Sequence, residues 1–131
     1  EIVAGGLSPE SEDDHSTSLW IGKTGSATGC HREDAEVINF LYVVEGHKRL
    51  VMFRPELRHR WDLCLGGYTG DATCWTNEDV LTNTDEFPDA VVVDLHAGQG
   101  FFIPPQVWHS VVNMDVTVAI AVKFGVPQPL E

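Results

Sequence analysis

Positive charge is scarce in this chain: eight Lys and Arg face 20 Asp and Glu across 131 residues, a formal net charge of −12. Such a surface repels a phosphate backbone, which excludes nucleic-acid binding through a basic face and suits a basic peptide or protein better. Long apolar runs are missing too. None approaches the roughly 18 residues that a bilayer-spanning helix requires, so no membrane span is expected. Cysteine is rare: Cys30, Cys64 and Cys74 are too few and too scattered for a disulfide framework or a four-thiolate zinc site. A Cys64–Cys74 loop closure stays open, with reduced, buried thiols the favoured state. Charged residues make up 21% of the chain against 43% hydrophobic ones, and a chain this long is one domain able to bury a core without staples. Glu1 rather than Met stands first, so the row is expected to begin inside a longer or processed chain. No secretory or transit pattern is visible, and no compartment is assigned.

What the chain does have is strand-forming sequence. Residues 1–17 read as an acidic, flexible leader around Glu10, Glu12, Asp13 and Asp14. Leu19-Trp20-Ile21 then begins the ordered part. Residues 37–44 are β-branched and aromatic and end at Glu45-Gly46; residues 48–54 follow and stop at Pro55, which reads as a hairpin. Residues 56–89 form an irregular insertion carrying Trp61, Tyr68 and Trp75, long enough to be functional or mobile. Strand character returns over 90–95, 101–103, 107–112 and 116–124, before a tail at 126–131. About eight short strands with little helix make an all-β sandwich or closed barrel over 18–125. Trp20, Phe40, Phe53, Phe101 and Phe102 are expected to fill it.

His31-Arg32-Glu33 is the first chemical signal. On a strand, alternation sets His31 and Glu33 on one face, where an imidazole and a carboxylate can clasp one metal ion, and points Cys30 away. Alone, such a triplet is common on surfaces. A second histidine would complete the two-histidine, one-carboxylate set that leaves three positions open on iron(II). His109 is the candidate, because Gly98, Pro104 and Asn113 surround it with turn–strand–turn spacing. His15, His47, His59 and His96 have no companion at useful spacing and read as solvent-facing; Trp108 reads as core or pocket wall.

Gly25, five residues, His31-x-Glu33, then Asn39, six residues, Gly46 resembles the first motif of the cupin superfamily. Gly98, five residues, Pro104, four residues, His109, three residues, Asn113 resembles the second. More narrowly the chain is similar to JmjC-type iron(II)/2-oxoglutarate dioxygenases, including the asparaginyl-hydroxylase-like group. The resemblance runs from Leu19 to Phe124 through Thr28-Gly29-Cys30-His31, Gly46-His47-Lys48-Arg49, Phe53-Arg54-Pro55-Glu56 and Pro104-Pro105-Gln106-Val107-Trp108-His109. It implies a double-stranded β-helix, a jelly-roll barrel with His31, Glu33 and His109 as iron ligands in its mouth. It further implies that Thr28 and Lys48 hold the far carboxylate of 2-oxoglutarate and that Asn39 is a pocket position. The implied reaction is hydroxylation of a protein or small-molecule substrate, with N-demethylation second.

Five departures qualify the match, one of them a stretch from His31 to Asn39 longer than in the hydroxylase group. Glu33 stands where aspartate is more frequent, Gln106 where cupins usually have glycine, and Lys123 where hydroxylases often have asparagine. Helices usually found ahead of the barrel are also not present in the row. The missing helices, the short length, Gln106 and Lys123 favour a runner-up, a barrel that no longer catalyses and serves as a structural or interaction subunit of a larger assembly. A third reading is a metal cupin that does not use 2-oxoglutarate.

Overall fold

The β-branched and aromatic segments do form strands. The computed structural model describes residues 2–4, 16–33, 35–56 and 90–125. Within these lie β1 (Ile2–Ala4), β2 (Ser16–Gly22), β3 (Ala27–His31), β4 (Val37–Glu45), β5 (His47–Phe53), β6 (Ala90–His96), β7 (Gly100–Ile103), β8 (His109–Asn113) and β9 (Thr117–Gly125). Among the described residues there is no α-helix. Two antiparallel sheets face each other, in the orders β1-β2-β9-β4-β7 and β3-β8-β5-β6. Strands β2 to β9 supply four to each sheet, the jelly-roll arrangement expected from the sequence. The insertion beyond Glu56, the tail, His15, His59, Trp61, Cys64, Tyr68, Cys74 and Trp75 lie outside the described residues.

Alternation decides what reaches the interior. Leu41, Val43, Ala119 and Ala121 of the first sheet meet Leu95 of the second in one buried cluster. Leu50, Met52, Ile103 and Val107 form another, and Val93, Phe101 and Val111 pack against both. The two clusters are thereby one continuous sandwich core.

Three readings of the sequence are corrected. The segments 37–44 and 48–54 are not a hairpin. β4 pairs with β7 and β9, whereas β5 pairs with β6 and β8, so every edge is taken by another strand. Gly46 is instead the corner at which the chain crosses between sheets. It has φ +88, and a Cβ there would run into the Val116 carbonyl oxygen. Gly46→Ala is therefore expected to cost about 2 kcal/mol or more, measured as a lower urea midpoint with an unchanged m-value.

Part of the leader is a strand: Ile2–Ala4 pairs with β2, with Ile2 opposite Ile21. Three apolar residues in a row can add to the otherwise open edge of β2, which the acidic composition of the following residues obscures. Phe40 and Phe102 do not fill the barrel. Their neighbours Leu41 and Ile103 are buried, so alternation turns both rings outward, where they touch at 4.5 Å between centroids and Phe102 is 60% exposed. Trp20 and Phe101 do pack on the core, and Phe53 is buried.

Candidate metal centre

Strand β3 carries the first candidate ligand, and its irregularity matters more than its alternation. Thr28 pairs with Val111 and His31 with His109, so three residues on β3 span two on β8. This one-residue bulge puts Thr28 and His31 on the same inner face, which a regular strand could not do. β3 ends at His31, and Glu33 is delivered from the segment beyond it rather than by alternation within a strand. That segment is tied down where Gln106 N–H donates to the Glu33 carbonyl at 3.2 Å. Gln106 takes φ +58, the left-handed conformation that glycine adopts without strain, which gives a physical reason for the usual glycine at this position. The same turn delays β8 from the expected start at Val107 to His109.

Both imidazoles are oriented by a backbone carbonyl. His31 Nδ1 lies 2.8 Å from the Gly29 carbonyl and His109 Nδ1 lies 2.8 Å from that of Val107. A carbonyl oxygen can only accept, so each Nδ1 carries a proton and each Nε2 is the ring nitrogen left for the cluster. The two rings are 4.3 Å apart at an angle of 56°. Glu33 Oε1 is 3.6 Å from His31 Nε2, and one ligand atom from each of His31, Glu33 and His109 lies within 4.8 Å of the others. Such a cluster could hold a metal ion.

The electrostatics keep His109 and Glu33 in electron-donating form. Burial pushes His109 down to about 4, with repulsion from His31 adding to it. Burial opposes the Glu33 carboxylate, but its neighbours His31 and Lys123 outweigh that and hold it at about 2. His109 lowered in the fold means that the unfolded chain takes up its proton first. Stability is therefore complete above about pH 6.5 and falls as pH drops to about 4, by about 3 kcal/mol if that group acts alone. Urea unfolding of metal-stripped protein across that window measures the loss; a flat profile down to pH 4 contradicts it.

Residues 6–124, nearly the whole barrel, match the Cupin-like domain family. The chain belongs to the Cupin-like domain family. It is 32% identical over 110 residues to HSPB1-associated protein 1 of Rattus norvegicus and of Homo sapiens, covering 79% of this chain and 23% and 22% of those proteins. It is 24% identical over 120 residues to the uncharacterized protein YxbC of Bacillus subtilis (strain 168), covering 86% of this chain and 34% of that one. The chain thus spans about a quarter to a third of the length of these relatives.

In this Cupin-like domain the triad lies on a cavity of about 170 Å³ that Thr28, Asn39, Lys48 and Lys123 also line. Lys48, which the sequence would equally allow on a solvated edge, is 3% exposed because β5 is a central strand. Lys123 comes from β9, where Asn39 is its cross-strand partner. Its ammonium holds Glu33 Oε2 at 2.9 Å, while Asn39 Nδ2 approaches Oε1 at 3.4 Å. The sequence marked Lys123 only as a departure; its pairing with Glu33, 90 positions away, had no local signal.

Other candidates sit elsewhere. Cys30 is fully buried and is raised to about 12 by burial, with the nearby Ser110 side chain opposing. A thiol so placed is inert at neutral pH. Trp108 is 1% exposed in the core, with the Arg32 guanidinium 5.0 Å from its ring centroid. His47 and His96 do have companions: they stack at 4.2 Å across β5 and β6, with His47 Nε2 at 2.9 Å from Asp94 Oδ1. Arg49 donates to both Asp94 oxygens and with His47 keeps that carboxyl at about 2. This group lies on the outer face, with Lys48 on the inner one.

Proposed function

We propose that the chain is an iron(II)- and 2-oxoglutarate-dependent oxygenase that hydroxylates a protein or peptide side chain, with demethylation the second choice. The observation that carries the reading is the convergence of two imidazoles and one carboxylate beside a cavity walled by a buried lysine. The donor set fits the metal: two neutral imidazoles and one carboxylate suit iron(II) and leave coordination positions for reactants. Iron and 2-oxoglutarate, when bound, would supply the oxidising chemistry by which dioxygen, 2-oxoglutarate and a substrate C–H group give succinate, carbon dioxide and the hydroxylated substrate.

The remaining work belongs to the chain. His31, Glu33 and His109 would hold the iron, and Lys123 and Asn39 fix the orientation of the Glu33 carboxylate as outer partners of a ligand commonly do. Lys48 offers a point charge and Thr28 a hydroxyl for the far carboxylate of 2-oxoglutarate. Leu41, Ile103, Val111 and Ala121 give the cavity an apolar lining that keeps water from the rest of it. The net charge of −12 favours a basic peptide as the substrate. Purified protein with iron(II), ascorbate and 2-oxoglutarate is expected to release succinate. No iron uptake, or no turnover with any peptide, rejects the reading.

A second reading, an interaction module, draws on a separate observation. The outer face of the larger sheet exposes Ile21 at 42% and Phe102 at 60%, and two relatives are named for association with another protein. It expects association that Phe102→Asp weakens and that iron does not affect.

A further inference from the structure

Lys48 lies directly opposite Asn113 in the β5–β8 ladder, and its ammonium donates to Asn113 Oδ1 at 2.7 Å. Thr117 Oγ1 donates to the same oxygen at 2.9 Å. The other end of the amide is held as firmly. Asn113 Nδ2 donates to Ser26 Oγ at 2.7 Å, and that hydroxyl donates onward to the Lys23 carbonyl at 2.8 Å. The Asn113 backbone is clamped by the same turn, its N–H on the Ser26 carbonyl at 2.9 Å and its carbonyl accepting from Gly25 N–H at 2.7 Å. Gly22 leaves the space this needs, since a Cβ there would collide with Asn113 Nδ2. The amide orientation is therefore unambiguous: only its oxygen can face an ammonium.

This chain has a consequence for the ligand. A flexible four-carbon stem leaves a lysine charge poorly located. A neutral amide oxygen fixes where the ammonium sits and brings no opposing charge of its own to the cavity that Lys48 and Thr28 line. A carboxylate in the same place would fix it equally well and neutralise it.

We infer that Asn113 is a positioning residue for the cavity's anion, holding Lys48 through the Ser26–Asn113–Thr117 network so that the lysine binds the far carboxylate of a dicarboxylate. The inference rests on the proposed use of Lys48 and extends it to a residue outside the cavity lining. Isothermal titration of 2-oxoglutarate into the 131-residue chain loaded with Mn(II) tests it. Asn113→Asp keeps the shape and an acceptor for both donors, so the fold and the Mn(II) affinity are retained. Its 2-oxoglutarate Kd is expected to rise at least about tenfold, the scale of one charge-assisted hydrogen bond. Ser26→Ala, a half-buried and mild change, frees the amide and is expected to weaken binding about threefold, as loss of part of one hydrogen bond. A merely structural role would leave the ligand Kd of folded Asn113→Asp protein unchanged. Values within twofold of wild type for both variants overturn the inference while leaving the oxygenase reading intact. Wild-type protein that binds Mn(II) but no 2-oxoglutarate overturns both.

Discussion

His109→Ala is expected to abolish metal uptake and, with it, succinate release. Three donors within 4.8 Å define the centre, and His109 is the most deeply placed of them at 1% exposure. Loss of an outer partner commonly costs 10- to 100-fold in metal affinity, and loss of a direct ligand should exceed about a hundredfold. Because a buried ring is removed, some stability is lost as well, so His31→Ala serves as the companion variant. His31 is about one-fifth exposed and its removal leaves the core intact. Anaerobic titration with iron(II), beside circular dichroism to establish the fold, reads the result. Wild-type affinity in both folded variants would mean that the three side chains do not share a metal.

The second large effect is expected at Lys48. Lys48→Met keeps the length of a 3% exposed side chain and removes its charge. A charge-assisted hydrogen bond contributes about 1.5–3 kcal/mol, so 2-oxoglutarate affinity should fall roughly 10- to 100-fold while metal affinity is unchanged. The comparison also separates two classes of metal cupin. Turnover that depends on metal but ignores both 2-oxoglutarate and this substitution would assign the chain to metal cupins without the cosubstrate.

Much of this site is legible in the order of residues. The pair His31 and Glu33, the distant His109 and the motif glycines sit at spacings that imply a jelly roll, and strand-rich segments with turn residues between them carry the same message. The partners of those residues are less legible. His47 and His96 lack companions in the row, yet a ladder between β5 and β6 stacks them. Thr28 and His31 are three apart, which in a regular strand means opposite faces; the bulge against β8 alone reconciles them. Phe40 and Phe102 are as hydrophobic as Phe53, and only the sheet face on which each falls separates the exposed from the buried.

The sequence by itself determined the all-β class, the strand-forming segments and the candidate ligand types, because these depend on local preference and on spacing along the chain. The tertiary structure decided that 37–53 is a crossover between sheets and not a hairpin, that Lys123 pairs with Glu33, and that Asn113 holds Lys48. Each of those outcomes depends on which strand lies beside which. Pairing between segments 65 or 90 positions apart is set by closure of the two sheets around a common core, a long-range condition that local sequence does not encode.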